Sequence, residues 1–474
     1  MTWGPTAPGG IAAPGDDIPA DDRSFTVADI AVCFEGAVPA VIATASADGT
    51  PNVTYLSRVH AVDAERVALS NQFFSKTVAN LAENPRASLL IVDPTTYDQY
   101  RLTLAYERTE RRGPVFERLR TDIDVLAALE GMPDVFKLRA ADIYRVLHIE
   151  PTPNARRRPA RPAASTTSGS PPQVLAELAA RLSRAADLDV LVAGAVQGLV
   201  DLLGYESAAV LLLDESGRQL FTIASRGYPD EGVGSEIELG DGAIGLAAER
   251  CRPVRVGNLR QLSKYSRTLR RSFDAQQAQG PGPEIPVPDL PDAQSQVAVP
   301  ALALGQLVGV VTVESSQPVA FSEADEAVLQ VVATVVAAAV EAAKSQERLA
   351  APAPPAVPAP APAPAPPATA TRVRFYEVDG STFIDGDYLI KGVAGRLLWA
   401  LLGHHQREGR VDFTNREMRL DPSLDLPAYR DNFESRLILL KRRLDERSAP
   451  VRIEKTGRGG FRLLVEGPIA LERG

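Results

Sequence analysis

The feature that most constrains the fold is a run of alternating alanine and proline at residues 350–370. Proline fixes φ and lacks a backbone N–H, so this run favours an extended spacer of about 3 Å per residue over a helix or strand. Residues 151–173, rich in Pro, Ser, Thr and Gly, also have the composition of a linker. A chain of 474 residues is too long for one core. We therefore predict a flexible leader at residues 1–24 and three folded units at residues 25–150, 174–349 and 371–474.

Composition and charge exclude several classes of protein. The formal net charge of −9 argues against a protein that coats nucleic acid indiscriminately. The last unit differs from the rest, because it has nineteen Lys and Arg against sixteen Asp and Glu. Only two cysteines are present, Cys33 and Cys251. They exclude a disulfide framework and a cysteine-rich zinc site, and no metal site is predicted.

The N-terminal segment is rich in Gly, Pro, Ala and Asp, and it has neither a basic start nor an apolar core. It therefore does not have the pattern of a signal peptide. No uninterrupted apolar run reaches the length that spans a bilayer; the segment at residues 327–340 is too short, and charged residues flank its helix. We predict a cytoplasmic protein that has no membrane partner.

The first unit has the pattern of a small β-barrel. Short apolar segments are separated by tight turns such as the one at Asp48-Gly49. Few helices interrupt them, which is typical of a barrel. The predicted strands are residues 40–45, 52–59, 66–71, 86–92 and 99–109.

One part of this unit carries a recognisable motif. Residues 67–71 read Val-Ala-Leu-Ser-Asn, Ser75-Lys76-Thr77 follows, and Glu-Asn-Pro-Arg precedes the next strand. This pattern resembles the split barrel of the pyridoxamine 5'-phosphate oxidase-like family, which binds flavin mononucleotide (FMN), over residues 25–150. The resemblance implies that FMN is the cofactor. The implied phosphate ligands and the residues lining the same site are Ser70, Ser75, Lys76 and Thr77, together with Ser57 and Arg58.

Hydroxyls and a lysine at a helix N-terminus favour a phosphate dianion. Ser75 could equally be a simple helix cap and Lys76 a solvated charge. A deazaflavin, haem and an empty barrel remain alternatives to FMN. The oxidases of the family carry an Arg/His pair that residues 143–148 do not clearly reproduce, so an enzyme is not the favoured prediction. The family resemblance also implies a homodimer formed through the barrel.

The second unit, residues 174–349, has the order helix, hairpin, helix, hairpin, helix. It contains Asp-Gly-Ala-Ile-Gly at residues 241–245 and a Phe-Ser-Glu-Ala-Asp helix start at residues 321–325. These features resemble a GAF domain, a small α/β sandwich that serves as a sensor. GAF domains bind many kinds of ligand, so we expect a small molecule here without being able to name it.

The third unit ends with a charged helix and a hairpin. The helix, residues 428–446, carries Phe433, Leu437, Leu440 and Leu444 as one apolar stripe. Two strands at residues 451–455 and 460–465 follow, joined by a glycine-rich tip. The last strand begins Gly-Phe-Arg-Leu. This arrangement resembles the winged-helix output domain of two-component response regulators, which implies that DNA is the partner.

The winged-helix resemblance places four arginines on DNA. Arg442 lies opposite the apolar stripe, where it would reach a base edge, while Arg436 and Arg443 would flank it towards phosphates. Arg458, at the hairpin tip, would contact a phosphate. The same helix face also holds Ile438 and Leu439, which we expect to be exposed.

Together these patterns predict a multidomain α+β protein with a split β-barrel, a GAF α/β sandwich and a C-terminal winged helix. The function they favour is a sensory transcription regulator that couples flavin, redox or small-molecule sensing to DNA binding. One alternative is an FMN-dependent oxidoreductase with regulatory domains. The other is a signalling scaffold whose winged helix binds protein, which the apolar residues on the helix face would suit.

Overall fold

The computed structural model describes residues 25–35, 38–72, 75–129, 137–152, 171–257, 259, 285–349, 370–424, 433–457 and 459–474. The predicted leader, most of the first linker and nearly all of the Ala/Pro run lie outside these residues. So do Arg458 and the predicted start of the C-terminal helix, residues 428–432.

The first unit is one curled half-barrel sheet of seven strands. The strands are β1 Ala40–Ala45, β2 Pro51–Leu56, β3 Val59–Ala61, β4 Arg66–Asn71, β5 Arg86–Val92, β6 Gln99–Glu110 and β7 Ala140–Pro151. Their order in the sheet is β2-β1-β5-β6-β7-β4-β3. Burial alternates along β1 and β5, as the alternating sequence predicts for strands with one core face. The helices of this unit are α1 Val32–Glu35, α2 Ser75–Glu83 and α3 Pro114–Leu129.

The second unit has a six-stranded antiparallel sheet with helices packed against it. Its strands are β8 Ser207–Leu213, β9 Gln219–Arg226, β10 Glu236–Glu238, β11 Val254–Val256, β12 Ser295–Ala303 and β13 Gln306–Ser315. The sheet order is β10-β9-β8-β13-β12-β11. The helices are α4 Pro171–Ser183, α5 Leu188–Asp201, α6 Gly242–Arg250 and α7 Glu323–Leu349. The two short strands β10 and β11 were not predicted from the sequence.

Helix α7 meets the length and composition of a membrane span, which the sequence analysis did not expect. Its segment Glu323–Ser345 is long and apolar enough to cross a membrane by length and composition, with a mean hydropathy of 1.7. In the structure, Leu329, Val332 and Val336 of this helix are buried in the core of the second unit. Packing on β12 and β13 covers part of the apolar surface of this helix, since 39% of the apolar segment is buried.

The described residues of the C-terminal unit form two small sheets and three α-helices. The first sheet, in the order β16-β15-β14-β20, pairs β14 and β20 in parallel. The second has the order β17-β19-β18. The strands are β14 Thr371–Phe375, β15 Thr382–Ile384, β16 Asp387–Ile390, β17 Asp412–Thr414, β18 Val451–Gly457, β19 Gly460–Val465 and β20 Ile469–Arg473. The helices are α8 Gly392–Glu408, α9 Asn415–Arg419 and α10 Phe433–Glu446.

The cores of the second and C-terminal units are continuous. One cluster of buried side chains runs from α5 and the sheet of the second unit into α8 and α10. The expectation that Ile438 and Leu439 are exposed was wrong: they are 0% and 3% exposed. Leu439 lies against the second unit, where its Cδ1 is 3.6 Å from the position that a Cβ on Gly234 would take. Helix α10 is therefore buried on both sides.

Candidate functional site

The predicted flavin residues meet where β4 ends and the connection between β2 and β3 passes it. The Ser57 hydroxyl donates to Oε1 of Gln72 over 2.9 Å. The Arg58 N–H donates to Oγ of Ser70 over 3.1 Å, and the Ser70 N–H donates back to the Arg58 carbonyl oxygen over 3.0 Å. The structure therefore brings together Ser57, Arg58 and Ser70.

Helix α2 begins three residues after Gln72, and it carries the other three predicted residues. Ser75 is the first residue of the helix, and only its backbone is described. Lys76 is exposed and makes no ion pair within the described part of the chain. Thr77 is buried, and its hydroxyl accepts a hydrogen bond from Nδ2 of Asn52 over 3.0 Å. Thr77 thus faces β2, whereas Lys76 faces solvent.

One buried donor at this place is unsatisfied. Gln72 is 6% exposed, and its Nε2 has no hydrogen-bond partner among the described residues. The bond from Ser57 fixes the amide oxygen and leaves Nε2 as the free end. Buried polar groups are normally paired, and the first N–H groups of a helix also have no partner within the helix. Together with the Lys76 ammonium, these donors fit the phosphate end of a flavin mononucleotide.

Arg58 joins the site through its backbone, and its guanidinium reaches α3. Its Nε donates to Oδ2 of Asp122 on α3 over 3.0 Å, and both side chains are largely buried. Burial acts to raise the pKa of the Asp122 carboxyl, but Arg58 and Arg118 outweigh it and hold that pKa below the ordinary value. The guanidinium predicted to line the flavin site therefore neutralises a buried carboxylate on α3.

This ion pair continues into the second unit. Nη1 of Arg118 donates to both carboxylate oxygens of Glu326 on α7, each over 3.0 Å. Arg255 on β11 lies on the other side, with its Nε 3.7 Å from Glu326 Oε2. Charges at such distances interact strongly where water is largely excluded. A chain of alternating charges therefore links the candidate flavin site to α7.

The interior of the second unit holds a further carboxyl group. Glu314 on β13 accepts from Nε2 of Gln296 over 2.8 Å and from the Leu290 N–H over 3.2 Å. Burial raises the pKa of Glu314 to about 7. Burial also raises the pKa of the neighbouring Tyr228 phenol. A buried carboxyl group held by amide donors is a candidate polar anchor for a small ligand.

The predicted DNA-binding arginines are not on an open face. Arg436 pairs with Glu215 in the turn between β8 and β9, and Arg442 pairs with Asp189 in the first turn of α5. Arg443 is buried in its own unit, where its Nε donates to the Leu389 carbonyl oxygen over 2.9 Å.

This placement differs from the expected one because the side of α10 opposite its apolar stripe packs on the second unit. The fourth predicted residue, Arg458, lies outside the described residues.

Sequence reasoning missed two groups of residues. Gln72 lies between the strand and the helix of the motif, and its position in the sequence does not indicate a ligand-binding role. In the sequence, Asp189 has the position of an acidic residue in the first turn of a helix, and Glu215 has the position of a residue in a hairpin turn. Neither position indicates a partner in a distant unit. The one available signal was Ile438-Leu439, because two adjacent apolar residues on a supposedly exposed helix face indicate a covering partner.

Comparisons with known proteins support two of the three units. The pyridoxamine 5'-phosphate oxidase family matches residues 28–146, and the GAF domain family matches residues 185–341. An uncharacterized protein of Methanocaldococcus jannaschii (MJ0282) is 33% identical over 110 residues, which cover 23% of this chain and 68% of that protein. The chain belongs to the family of this archaeal protein over the region they share. Neither family match extends into the C-terminal unit.

Several solved structures are similar to parts of the chain. The GAF domain of an Acinetobacter phosphoenolpyruvate-protein phosphotransferase is 22% identical, covers 36% of this chain and 93% of its own, and has a TM-score of 0.30. The free methionine-R-sulfoxide reductase of Neisseria meningitidis is 21% identical, with coverages of 39% and 99% and a TM-score of 0.30. An FMN-binding protein from Syntrophomonas wolfei is 16% identical, with coverages of 27% and 84% and a TM-score of 0.22.

The chain therefore carries an N-terminal domain like pyridoxamine 5'-phosphate oxidase and a GAF domain. Domains of these two kinds in one chain fit a regulatory or sensory protein.

Proposed function

We propose that this protein is a sensory transcription regulator. Its split barrel binds FMN, its GAF domain binds a small molecule, and its C-terminal unit is a winged helix that binds duplex DNA. The observation that carries the proposal is the order of these units on one chain, in which two sensor-type domains precede a helix followed by a β-hairpin. In such proteins ligand binding shifts an equilibrium between conformations that differ in output.

The open donors at α2 support FMN as the cofactor. Bound there, FMN would supply a redox-active ring that absorbs visible light. Lys76 and the first N–H groups of α2 would bind its phosphate, and Gln72 would add the donor that has no partner among the described residues. Arg58 would contribute through its backbone, because its guanidinium already donates a hydrogen bond to Asp122.

The ion pairs between α3 and α7 support coupling of the barrel to the GAF domain. Arg58 follows the strand that borders the candidate phosphate site, and Asp122 connects it to the Arg118–Glu326 pair. Glu326 belongs to the first turn of α7, the helix that packs on β12 and β13. A shift of Arg58 on FMN binding would therefore alter the charge balance at the start of α7.

The arrangement of the C-terminal unit supports the winged-helix proposal. Helix α10 precedes the hairpin of β18 and β19, and β17, which lies between α8 and α9, pairs with β19. In a winged helix, the helix before the hairpin enters the major groove and the hairpin touches the neighbouring backbone. Helix α10 has four basic residues, of which Arg436 is in its first half and Lys441, Arg442 and Arg443 are in its second half.

We also propose a homodimer formed through the barrel. Strand β2 is at the edge of the seven-stranded sheet. Its Val53 and Tyr55 side chains are 64% and 75% exposed, which is unusual for residues of this size side by side on one strand face. A second copy of the chain would cover them. Light scattering at micromolar concentration should give twice the mass of one chain, and a monomeric mass in the presence of FMN would contradict the proposal.

The test of the proposed function is duplex selection by the full-length protein. Random duplexes are incubated with the protein at low salt, and the retained sequences are read. We expect enrichment of a defined sequence. Arg458→Ala should weaken the binding of all duplexes alike and lower the salt slope by about one. If no sequence is enriched and reduced nicotinamide is consumed in an FMN-dependent way, the protein is an oxidoreductase instead.

A further inference from the structure

The side of α10 that would face DNA is covered by the GAF domain. Helix α10 contacts α5, α7 and β9 of that domain, as well as the core of its own unit. Leu439 lies at the apolar centre of this contact, beside Gly234, and the adjacent Ile438 is also fully buried. Around this centre the contact is made of ion pairs, which we call the acidic latch and define by the four GAF-domain carboxylates Asp187, Asp189, Glu215 and Glu236.

Arg436 makes the tightest of these pairs. Its Nε and Nη2 donate to the two carboxylate oxygens of Glu215, over 2.6 and 2.5 Å. The guanidinium also lies 3.9 Å from the centre of the Phe221 ring. The Arg436 side chain is 10% exposed and that of Glu215 is 15% exposed. A bidentate pair of this kind has the geometry with which arginine binds a phosphate group.

Arg442 is held with the same completeness. Its Nε and Nη2 donate to Oδ1 of Asp189 over 2.9 and 2.7 Å. Two further donors reach backbone carbonyl oxygens, that of Ile223 over 2.8 Å and that of Asp189 over 3.1 Å. The arginine predicted to read a base therefore makes four hydrogen bonds to the GAF domain.

Two lysines make the other ion pairs around the apolar centre of the contact. Nζ of Lys455, on β18, is 2.8 Å from Asp187, and Nζ of Lys391, just before α8, is 2.9 Å from Glu236. In all four pairs the cation belongs to the C-terminal unit and the carboxylate to the GAF domain. A contact that came only from packing would not be expected to sort the two signs in this way.

We infer that the acidic latch takes the place of DNA phosphates on α10 and holds the C-terminal unit in a form that does not bind DNA. This inference rests on the proposed function, and it adds how that function is regulated. The same cations cannot pair with carboxylates and phosphates at once, so duplex binding requires the latch to open. The apparent affinity for DNA is then reduced by the fraction of molecules that are open.

The experiment uses the full chain and removes the charge of the latch, not of α10. Asp189→Asn with Glu215→Gln keeps the shapes of both side chains and leaves Arg436 and Arg442 intact. The matched control is Asp201→Asn with Glu249→Gln, which removes two half-exposed carboxylates elsewhere on the GAF domain. The thermal melting curve and radius of gyration of each protein are measured first, to confirm that it is folded and to detect opening.

Binding to a mixed-sequence duplex is then titrated at several salt concentrations. The latch variant should bind about tenfold tighter than the parent and have a larger radius of gyration, whereas the control should match the parent. If a folded latch variant binds DNA no tighter than the parent, which does bind, the latch inference is overturned and the proposed function stands. If the open latch variant and the parent both bind no duplex, the DNA-binding function itself is overturned.

Discussion

Helices α2 and α10 both carry basic groups, but these groups have partners in the described residues only at α10. At α2, the Nε2 of the buried Gln72 has no partner, and Lys76 makes no ion pair within the described residues. At α10, Arg436 and Arg442 each make two hydrogen bonds to a carboxylate of another domain. The donors at α2 therefore have no acceptor among the described residues, whereas the arginines at α10 are already hydrogen-bonded to carboxylates.

This difference separates a site that can bind directly from one that must first be released. A ligand at α2 would gain hydrogen bonds without breaking any within the described site. A ligand at α10 would have to displace bonds of similar strength, because carboxylate and phosphate bind arginine in the same way. The two sites should therefore respond differently to substitution: α2 variants should change ligand affinity, and α10 variants should change stability.

The largest effect is expected from Arg436→Ala. Glu215 would keep its charge in a largely buried place without a partner, which typically costs about 3–5 kcal/mol. Urea unfolding of the full chain should show this loss. As a control, Arg452→Ala removes an arginine whose pair with Glu466 is more than half exposed. The control should change stability by less than about 1 kcal/mol, and equal effects of both variants would mean that α10 is not covered in solution.

The second prediction concerns Glu314, a buried carboxyl group held by amide donors instead of a cation. Its folded pKa of about 7 lies above the ordinary 4.5. Between these values the folded chain keeps a proton that the unfolded chain has released, so stability is full below pH 4.5 and falls as the pH rises through 7. The expected loss is up to about 3 kcal/mol.

Melting temperatures between pH 4.5 and 8 test this expectation. The parent should lose stability across this window relative to Glu314→Gln, which cannot ionise there. Glu249→Gln, on the exposed face of α6, should follow the parent. Parallel curves for the parent and Glu314→Gln would show that Glu314 is ionised in the folded protein throughout the window.

The third prediction concerns Lys76, whose charge no described residue neutralises. Lys76→Ala should weaken FMN binding by about 1.5–3 kcal/mol, the range of a hydrogen bond to a charged group. The free energy of unfolding of the Lys76→Ala variant should hardly change, in contrast to that of Arg436→Ala. Titration of the apo-protein by flavin fluorescence measures the affinity, with Arg101→Ala on β6 as the control. Equal affinities for the parent and Lys76→Ala would remove Lys76 from the site.

The smallest effect is expected from Gln72→Leu. The substitution removes the donor without a partner and keeps the side chain close to its original size, so the loss in FMN affinity should be about 1 kcal/mol. Riboflavin, which lacks the phosphate, separates the possible roles of Gln72. If the amide meets the phosphate, riboflavin binding should be the same in both proteins. An equal loss for both ligands would place Gln72 at the ring instead.

Much of the fold followed from the sequence for clear physical reasons. Strands such as β1 and β5 have one core face, so their burial alternates with the sequence. The stripe of Phe433, Leu437, Leu440 and Leu444 identified α10 and the face that it turns to its own unit. The periodicity of apolar residues shows which face of a helix is buried in its own unit. It does not show which distant segment of the chain covers the other face. The pairs of Arg436 and Arg442 span 221 and 253 residues, which is why sequence alone pointed them at DNA.

The candidate flavin site was predictable to the extent that its residues are close in the chain. Ser70, Lys76 and Thr77 lie within one strand–helix motif, and their type and spacing indicate phosphate binding. The redirection of Arg58 to Asp122 depends on α3, which lies 64 residues away. The lone donor of Gln72 depends on Ser57 taking its amide oxygen. Both are consequences of tertiary packing.

The most direct test of the contrast between the two helices is zero-length cross-linking of the full chain with a carbodiimide, which joins lysines to carboxylates in contact. Peptide mapping should find Lys455 joined to Asp187 and Lys391 to Glu236 within one chain, because each Nζ is within 3 Å of its carboxylate. Lys76 should remain unjoined and should react freely with an amine reagent. If the two cross-links are absent at low salt, or Lys76 is captured by a carboxylate of the same chain, the account of a covered α10 and an open α2 is contradicted.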